Sequence, residues 1–166
     1  MTYQSGPKRG PSQSAPAGAR SLRDIVEEML PATQPSWSTL DKRCLVAAAQ
    51  QIGRQLAGFT GGTTDIGTSQ VRNIYQEFVR IRMLRERDCA DRETLDSLEL
   101  VKPRIAYAAG RVGKPQFKDF SEALTLAIDR VLAESPETSS KALDSLLEFV
   151  EAVVQYMTYY KKFQGR

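Results

Sequence analysis

The residues with the clearest chemical potential lie in one short stretch, Lys102 to Arg111. Spacings of three, four and seven residues share a helix face, so Arg104, Tyr107 and Arg111 line one side if the helix reaches Arg111. Two guanidiniums beside an aromatic ring are suited to binding phosphates and stacking an unpaired base. The residues alone also allow a plainer interpretation, a short helix with a solvated basic face that ends at Gly110 as its C-cap.

Pro103 decides where this stretch can begin. Proline has no backbone N–H, and it disfavours a helical conformation for the residue before it, here Lys102. Either a longer helix is kinked at this point, or a new helix begins with Pro103 in its first turn. In both cases we expect Lys102 to lie at a bend, with its ammonium free to point outward.

A second basic face is predicted on the preceding long helix. At about 100° per residue, Arg72, Arg80 and Arg87 fall within an arc of about 80°. Val79 and Met83 lie among these arginines. Apolar side chains inside a basic outward face indicate contact with RNA or with a protein neighbour, although a solvated helix with two stray apolar residues fits equally well.

The composition argues against several kinds of chemistry. The chain has no histidine, which removes the commonest general base and the commonest metal ligand. Cys44 and Cys89 lack metal-ligand spacing, and we predict small buried or half-buried thiols. The glycine-rich loop from Phe59 to Gly67 lacks both a preceding strand and the Gly-Lys-Ser/Thr of a phosphate-binding loop. We therefore expect no catalytic residue, no metal ligand and no cofactor.

The distribution of apolar residues predicts an all-α fold. Apolar residues recur with helical spacing, and no segment alternates with period two over a useful length. We predict a single compact helical bundle of about five main helices plus a short N-terminal helix. The chain divides into a disordered basic tail (residues 1–20), a short helix with a linker (21–36) and the helical-bundle domain (37–166).

Capping residues and one apolar stripe locate the helices within this bundle. The stripe marks the last helix and predicts a central position: Leu143, Leu146, Val150, Val153, Met157 and Tyr160. Good N-cap residues predict where helices begin: Ser21, Ser38, Thr68 and Ser135.

The sequence has a small excess of basic residues and a hydrophilic average composition. The net charge is +3, the isoelectric point is about 8.9 and the mean hydropathy is −0.39. Any nucleic-acid binding must therefore depend on where the basic residues sit, because the overall excess is small. No apolar run approaches the ~20 residues of a membrane span, and no secretory signal is visible. We expect a cytoplasmic protein without membrane contact.

Three segments resemble the small subunit of type III-A CRISPR effector complexes, the Csm small-subunit family. They are Lys102 to Arg111, Thr68 to Arg72 (TSQVR) and Glu148 to Tyr156 (EFVEAVVQY). The first segment is the most specific, and all three keep the order and rough separation of the family. The resemblance covers roughly Trp37 to the C-terminus.

This resemblance implies a non-catalytic subunit, stacked in several copies along the inner side of a ribonucleoprotein filament for antiviral defence. Its partners would be guide and target RNA, other CRISPR effector subunits and neighbouring copies of itself. RNA would be bound through its backbone without sequence specificity. The alternative is a helical protein–protein assembly module with no direct RNA contact.

Carried over to this sequence, the resemblance and the helical faces assign a set of RNA-binding candidates. Tyr107 would be a stacking or positioning ring, although burial of this ring against the bundle is the competing interpretation. Arg80 is supported only by the helix face on which it lies. The remaining candidates are expected to contact phosphates: Arg72, Lys102, Arg104 and Arg111.

Overall fold

The computed structural model describes residues 20–33, 36–58, 66–87 and 91–164. These ranges contain α-helices and no strand, which confirms the all-α fold class. Residues 1–19 of the predicted tail (1–20), residues 59–65 of the glycine-rich loop and Cys89 lie outside the described residues. The helices in chain order are α1 Leu22–Met29, α2 Lys42–Leu56, α3 Thr68–Glu86, α4 Asp91–Glu99, α5 Val101–Val112, α6 Pro115–Leu132 and α7 Ser139–Gln164.

Helix α7 is the centre of the bundle, as its apolar stripe predicts. Helices α2, α3 and α6 all pack against it. Trp37 is completely buried, lies edge-on to the ring of Phe149 with centroids 5.5 Å apart, and donates a hydrogen bond from Nε1 to the carbonyl of Ala127 at 2.9 Å. The predicted stripe is buried from Leu143 to Met157, and Tyr160 is half-buried at its end.

The first helix is part of this body. Ser21 caps α1 as predicted, because its side chain accepts a hydrogen bond from the backbone N–H of Asp24. The buried face of α1 packs mainly on α6. The backbone N–H of Leu22 also donates to a carboxylate oxygen of Asp119 on α6 at 2.7 Å. A hydrophobic face and one long-range hydrogen bond therefore fix α1 to the bundle.

Helix α5 begins as one of the two predicted alternatives. A single residue, Leu100, separates α4 from a new helix that starts at Val101 and has Pro103 in its first turn. The helix continues past Gly110 to Val112, and its C-cap is Gly113, whose φ of 65° is in the left-handed region that glycine adopts without strain. The prediction of Gly110 as C-cap is therefore wrong, and the helix does reach Arg111. Helix α5 packs on α6, α3 and α4.

Two helices begin later than their predicted N-cap residues place them. Asp41, not Ser38, caps α2, and its carboxylate accepts from the backbone N–H of Arg43. Ser38 is buried, and its hydroxyl bonds to a carboxylate oxygen of Glu134 instead. The same carboxylate accepts from Thr138, where a turn precedes the start of α7. The hydroxyl of Ser135 is hydrogen-bonded to the hydroxyl of Thr138 at 3.0 Å, and residues 136–138 form a turn, so α7 begins at Ser139, later than the N-cap prediction places it.

Two smaller expectations are also wrong. Gly67 is the N-cap of α3, and Thr68 is the first helical residue. Cys44 is exposed, since it lies about a quarter of a turn of α2 away from the buried positions Leu45 and Ile52.

Candidate nucleic-acid interface

The outer face of α5 presents two arginines and a tyrosine, as the spacing predicts. Arg104, Tyr107 and Arg111 are all exposed, and Tyr107 leaves 69% of its surface accessible. The Arg111 guanidinium carbon lies 6.0 Å from the centroid of the Tyr107 ring, within range of a cation–π interaction. The burial interpretation of Tyr107 is therefore wrong, because its ring faces solvent beside a cation.

Helix α3 supplies a counter-ion that the sequence did not indicate. The Glu77 carboxylate accepts from Arg80 Nη1 at 2.8 Å through one oxygen and from Arg104 Nη1 through the other. The Glu77 side chain is only 17% exposed, whereas both arginine side chains are more than half exposed. One carboxylate thus links two guanidiniums from neighbouring helices and leaves a net positive charge. Pairs this exposed add little to stability, so their main effect is to orient the two arginines.

Lys102 is held by carboxylates of its own chain. Its ammonium lies 2.8 Å from an oxygen of Asp129 on α6 and 2.7 Å from an oxygen of Glu99 on α4. The hydrogen bonds to Asp129 and then to Glu99 raise the pKa of Lys102 above its usual value. The expectation of a free, outward-pointing ammonium is therefore wrong, and the lysine instead joins three helices.

Arg72 is exposed but does not join the α5 cluster. No ion pair links it to another residue in the part of the chain that the structure describes. Asn73 faces α5, and at about 100° per residue the Arg72 side chain leaves α3 about a quarter of a turn away from it. The structure therefore groups Arg104, Tyr107 and Arg111, adds Arg80 through its shared carboxylate, and leaves Arg72 on another side of α3.

A groove runs between α3 and α5 beside these residues. It consists of two depressions, of about 400 Å³ and about 330 Å³, and Asn73 and Ala108 line both. We call this feature the α3–α5 groove. The larger depression is lined by Asn73, Ile74, Glu77, Pro103, Arg104, Ile105, Tyr107 and Ala108. The smaller is lined by Gln70, Asn73, Ala108, Arg111, Val112 and Phe117.

Sequence reasoning did not single out Asn73 or Glu77, although a signal was available. The two are four residues apart and flank the buried position Ile74. Polar residues at that spacing beside an apolar stripe lie where α3 meets a neighbouring helix. The sequence did not show that this neighbour is α5.

The described residues offer no assembled site for metal chemistry. Over residues 20–33, 36–58, 66–87 and 91–164, no group of three or more cysteine, aspartate or glutamate side chains is placed to hold a metal ion. None of the helices in these ranges is long and apolar enough to cross a membrane.

The fold and the site together define an all-α protein with an exposed basic and aromatic face on one helix. A family model, Csm2 Type III-A, matches residues 39–163, which is most of the chain. The chain therefore belongs to the Csm2 family, the small subunit of type III-A CRISPR complexes. Neither a search of curated proteins nor a search of solved structures found a significant match.

Proposed function

We propose that this small subunit binds the backbone of guide and target RNA without sequence specificity and helps to assemble the effector filament for antiviral defence. The observation that carries the proposal is the exposed face of α5, where Arg104 and Arg111 flank the ring of Tyr107. Arg111 has no ion pair with a carboxylate in the described part of the chain, so it is available to a phosphate. Guanidiniums bind phosphate oxygens through paired hydrogen bonds.

The other candidates take different places in this proposal. Arg80 and Arg104 reach RNA while sharing Glu77, so a phosphate competes with that carboxylate for them. Arg72 contributes a phosphate contact on a separate side of α3. Lys102 is the weakest contributor, because RNA would have to replace two carboxylates that already hold it.

Salt dependence of binding tests the proposal directly. The variant Arg104→Ala/Arg111→Ala is compared with the native protein for a single-stranded RNA of guide length over a series of salt concentrations. For single strands each neutralised phosphate contributes about −0.7 to the slope of log affinity against log salt, so losing two contacts flattens the slope by about 1.4. The charge-matched control is Arg23→Ala/Arg43→Ala, which removes two exposed arginines from α1 and α2. Equal slopes for both variants and the native protein would refute the assignment.

The alternative, a protein–protein assembly module without RNA contact, is favoured by a different observation. Tyr159 and Phe163 are half-exposed near the end of α7, with their rings 4.7 Å apart, and Met83 is half-exposed on α3. Apolar side chains of this size outside the core suit a protein neighbour. Concentration-dependent self-association without any RNA affinity would support this function in place of the first.

A further inference from the structure

The chemistry of the α3–α5 groove selects a flat ligand with a polar edge. Pro103 and Ala108 supply accessible apolar surface above the buried Ile74 and Ile105, and the exposed ring of Tyr107 lies beside it. Asn73 borders both depressions, and its exposed amide has no hydrogen bond to another described residue. An amide offers both a donor and an acceptor, the combination that the polar edge of a nucleobase can use.

The charges at the groove specify an anionic strand. Arg104 and Arg111 lie at opposite ends of it, and Glu77 is already shared by two arginines. Seven residues of helix correspond to about 10 Å along the axis. A strand that lies along α5 therefore passes both arginines, and Tyr107 lies between them on the same face of the helix.

We propose that the α3–α5 groove holds one unpaired nucleobase of the bound RNA, stacked on Tyr107 and hydrogen-bonded by Asn73, while Arg104 and Arg111 bind the flanking phosphates. This inference rests on the proposed RNA-binding function and extends it. The subunit then prefers RNA with an unpaired nucleotide over a fully paired duplex of the same length.

Three RNA duplexes test the base site with the full chain. One is fully paired, one carries a single bulged 2-aminopurine nucleotide, and one carries an abasic nucleotide at the same bulge. The two bulged duplexes have the same number of phosphates and the same paired sequence, and they differ by the one base. We expect roughly tenfold tighter binding of the base-containing bulge, since stacking of one base on an aromatic ring is worth about five- to 150-fold in affinity. We also expect the 2-aminopurine emission to change on binding.

Variants identify the residues responsible. Tyr107→Leu and Asn73→Ala should each reduce the preference for the base over the abasic bulge and leave the salt slope unchanged, because both residues are exposed and uncharged. Tyr159→Leu is the matched control, an exposed tyrosine on α7 whose loss should not alter the preference.

The possible outcomes separate the two proposals. One outcome is equal affinity for the base-containing and the abasic bulge, together with salt-dependent binding that Arg104→Ala/Arg111→Ala weakens. This outcome overturns the base site and leaves the proposed backbone binding intact. Binding of none of the three duplexes and no single strand overturns the proposed function and the base site together.

Discussion

Replacing Gly53 with alanine should destabilise the bundle where α2 meets α7. A Cβ at this position would lie 2.6 Å from Tyr156 Cβ, 2.8 Å from Met157 N and 3.0 Å from Val153 O. Two of these three atoms belong to the backbone of α7, so no side-chain rotation can relieve the contact. Relief requires the two helices to move apart over a completely buried contact.

The magnitude follows from two opposing effects. Overpacking a well-packed interior costs about 1–3 kcal/mol, and a contact with backbone belongs at the upper end of that range. Alanine is a better helix former than glycine by about 1 kcal/mol, which offsets part of the cost. The net loss in the free energy of unfolding should be about 2 kcal/mol. For a chain of this size, each kcal/mol lowers Tm by about 2–4 °C.

Urea denaturation followed by tryptophan fluorescence measures this loss. Trp37 is the single tryptophan and packs on Phe149 of α7, so its emission reports on the packing of the central helix. Gly110→Ala is the matched control: Gly110 is exposed within α5, and a Cβ there meets nothing within 4 Å. That variant should be stabilised by up to about 1 kcal/mol. If Gly53→Ala is as stable as the native protein, the close approach of α2 and α7 is refuted.

Three further predictions concern α5 and its surroundings. Glu77→Gln should tighten RNA binding and steepen the slope of log affinity against log salt by about 0.7, because it removes the carboxylate that competes with phosphate for two arginines. Weaker binding would show instead that Glu77 positions these arginines. Gly113→Ala should lower the unfolding free energy by about 1 kcal/mol, since φ at Gly113 is 65°, and Gly113→Asn should lower it less in the same urea titration. Asp129→Asn removes one of the two carboxylates that hold Lys102, and it should lower the free energy of unfolding by at most about 1 kcal/mol in a urea titration. Because the pKa of Lys102 is raised in the folded protein, this ion-pair stabilisation is fully present below pH 10.5 and is lost as pH rises through the folded-state pKa. The unfolding free energies of the native protein and of Asp129→Asn should therefore become equal at high pH.

Local signals in the sequence predicted most of the helical framework. The apolar stripe of α7 identified the central helix, because burial of one face dictates a helical period. Ser21 and Pro103 marked the starts of α1 and α5 through backbone chemistry that acts within a few residues. Ser38 was misassigned because two capping residues lie close together, and a carboxylate distant in sequence, Glu134, engages the first of them. Local propensity cannot choose between Ser38 and Asp41.

The candidate site was predictable only within one helix. Arg104, Tyr107 and Arg111 share a face because their spacing matches a helical turn. The partners of the basic groups come from other helices, and no local pattern reveals them: Glu77 lies on α3 and Asp129 on α6. The sequence therefore identified the cations of this surface but not the carboxylates that occupy some of them.

The attachment of α1 has a practical consequence for shortened forms of this protein. The family match begins at residue 39, after both α1 and Trp37. A chain cut at that boundary would uncover the apolar side of α6 that α1 normally covers, and would leave an empty space where the indole sits against Phe149. Water-exposed apolar surface of this kind promotes aggregation. Expression of residues 39–163 alone is thus expected to give insoluble material, whereas a version that starts at Arg20 keeps the covering helix.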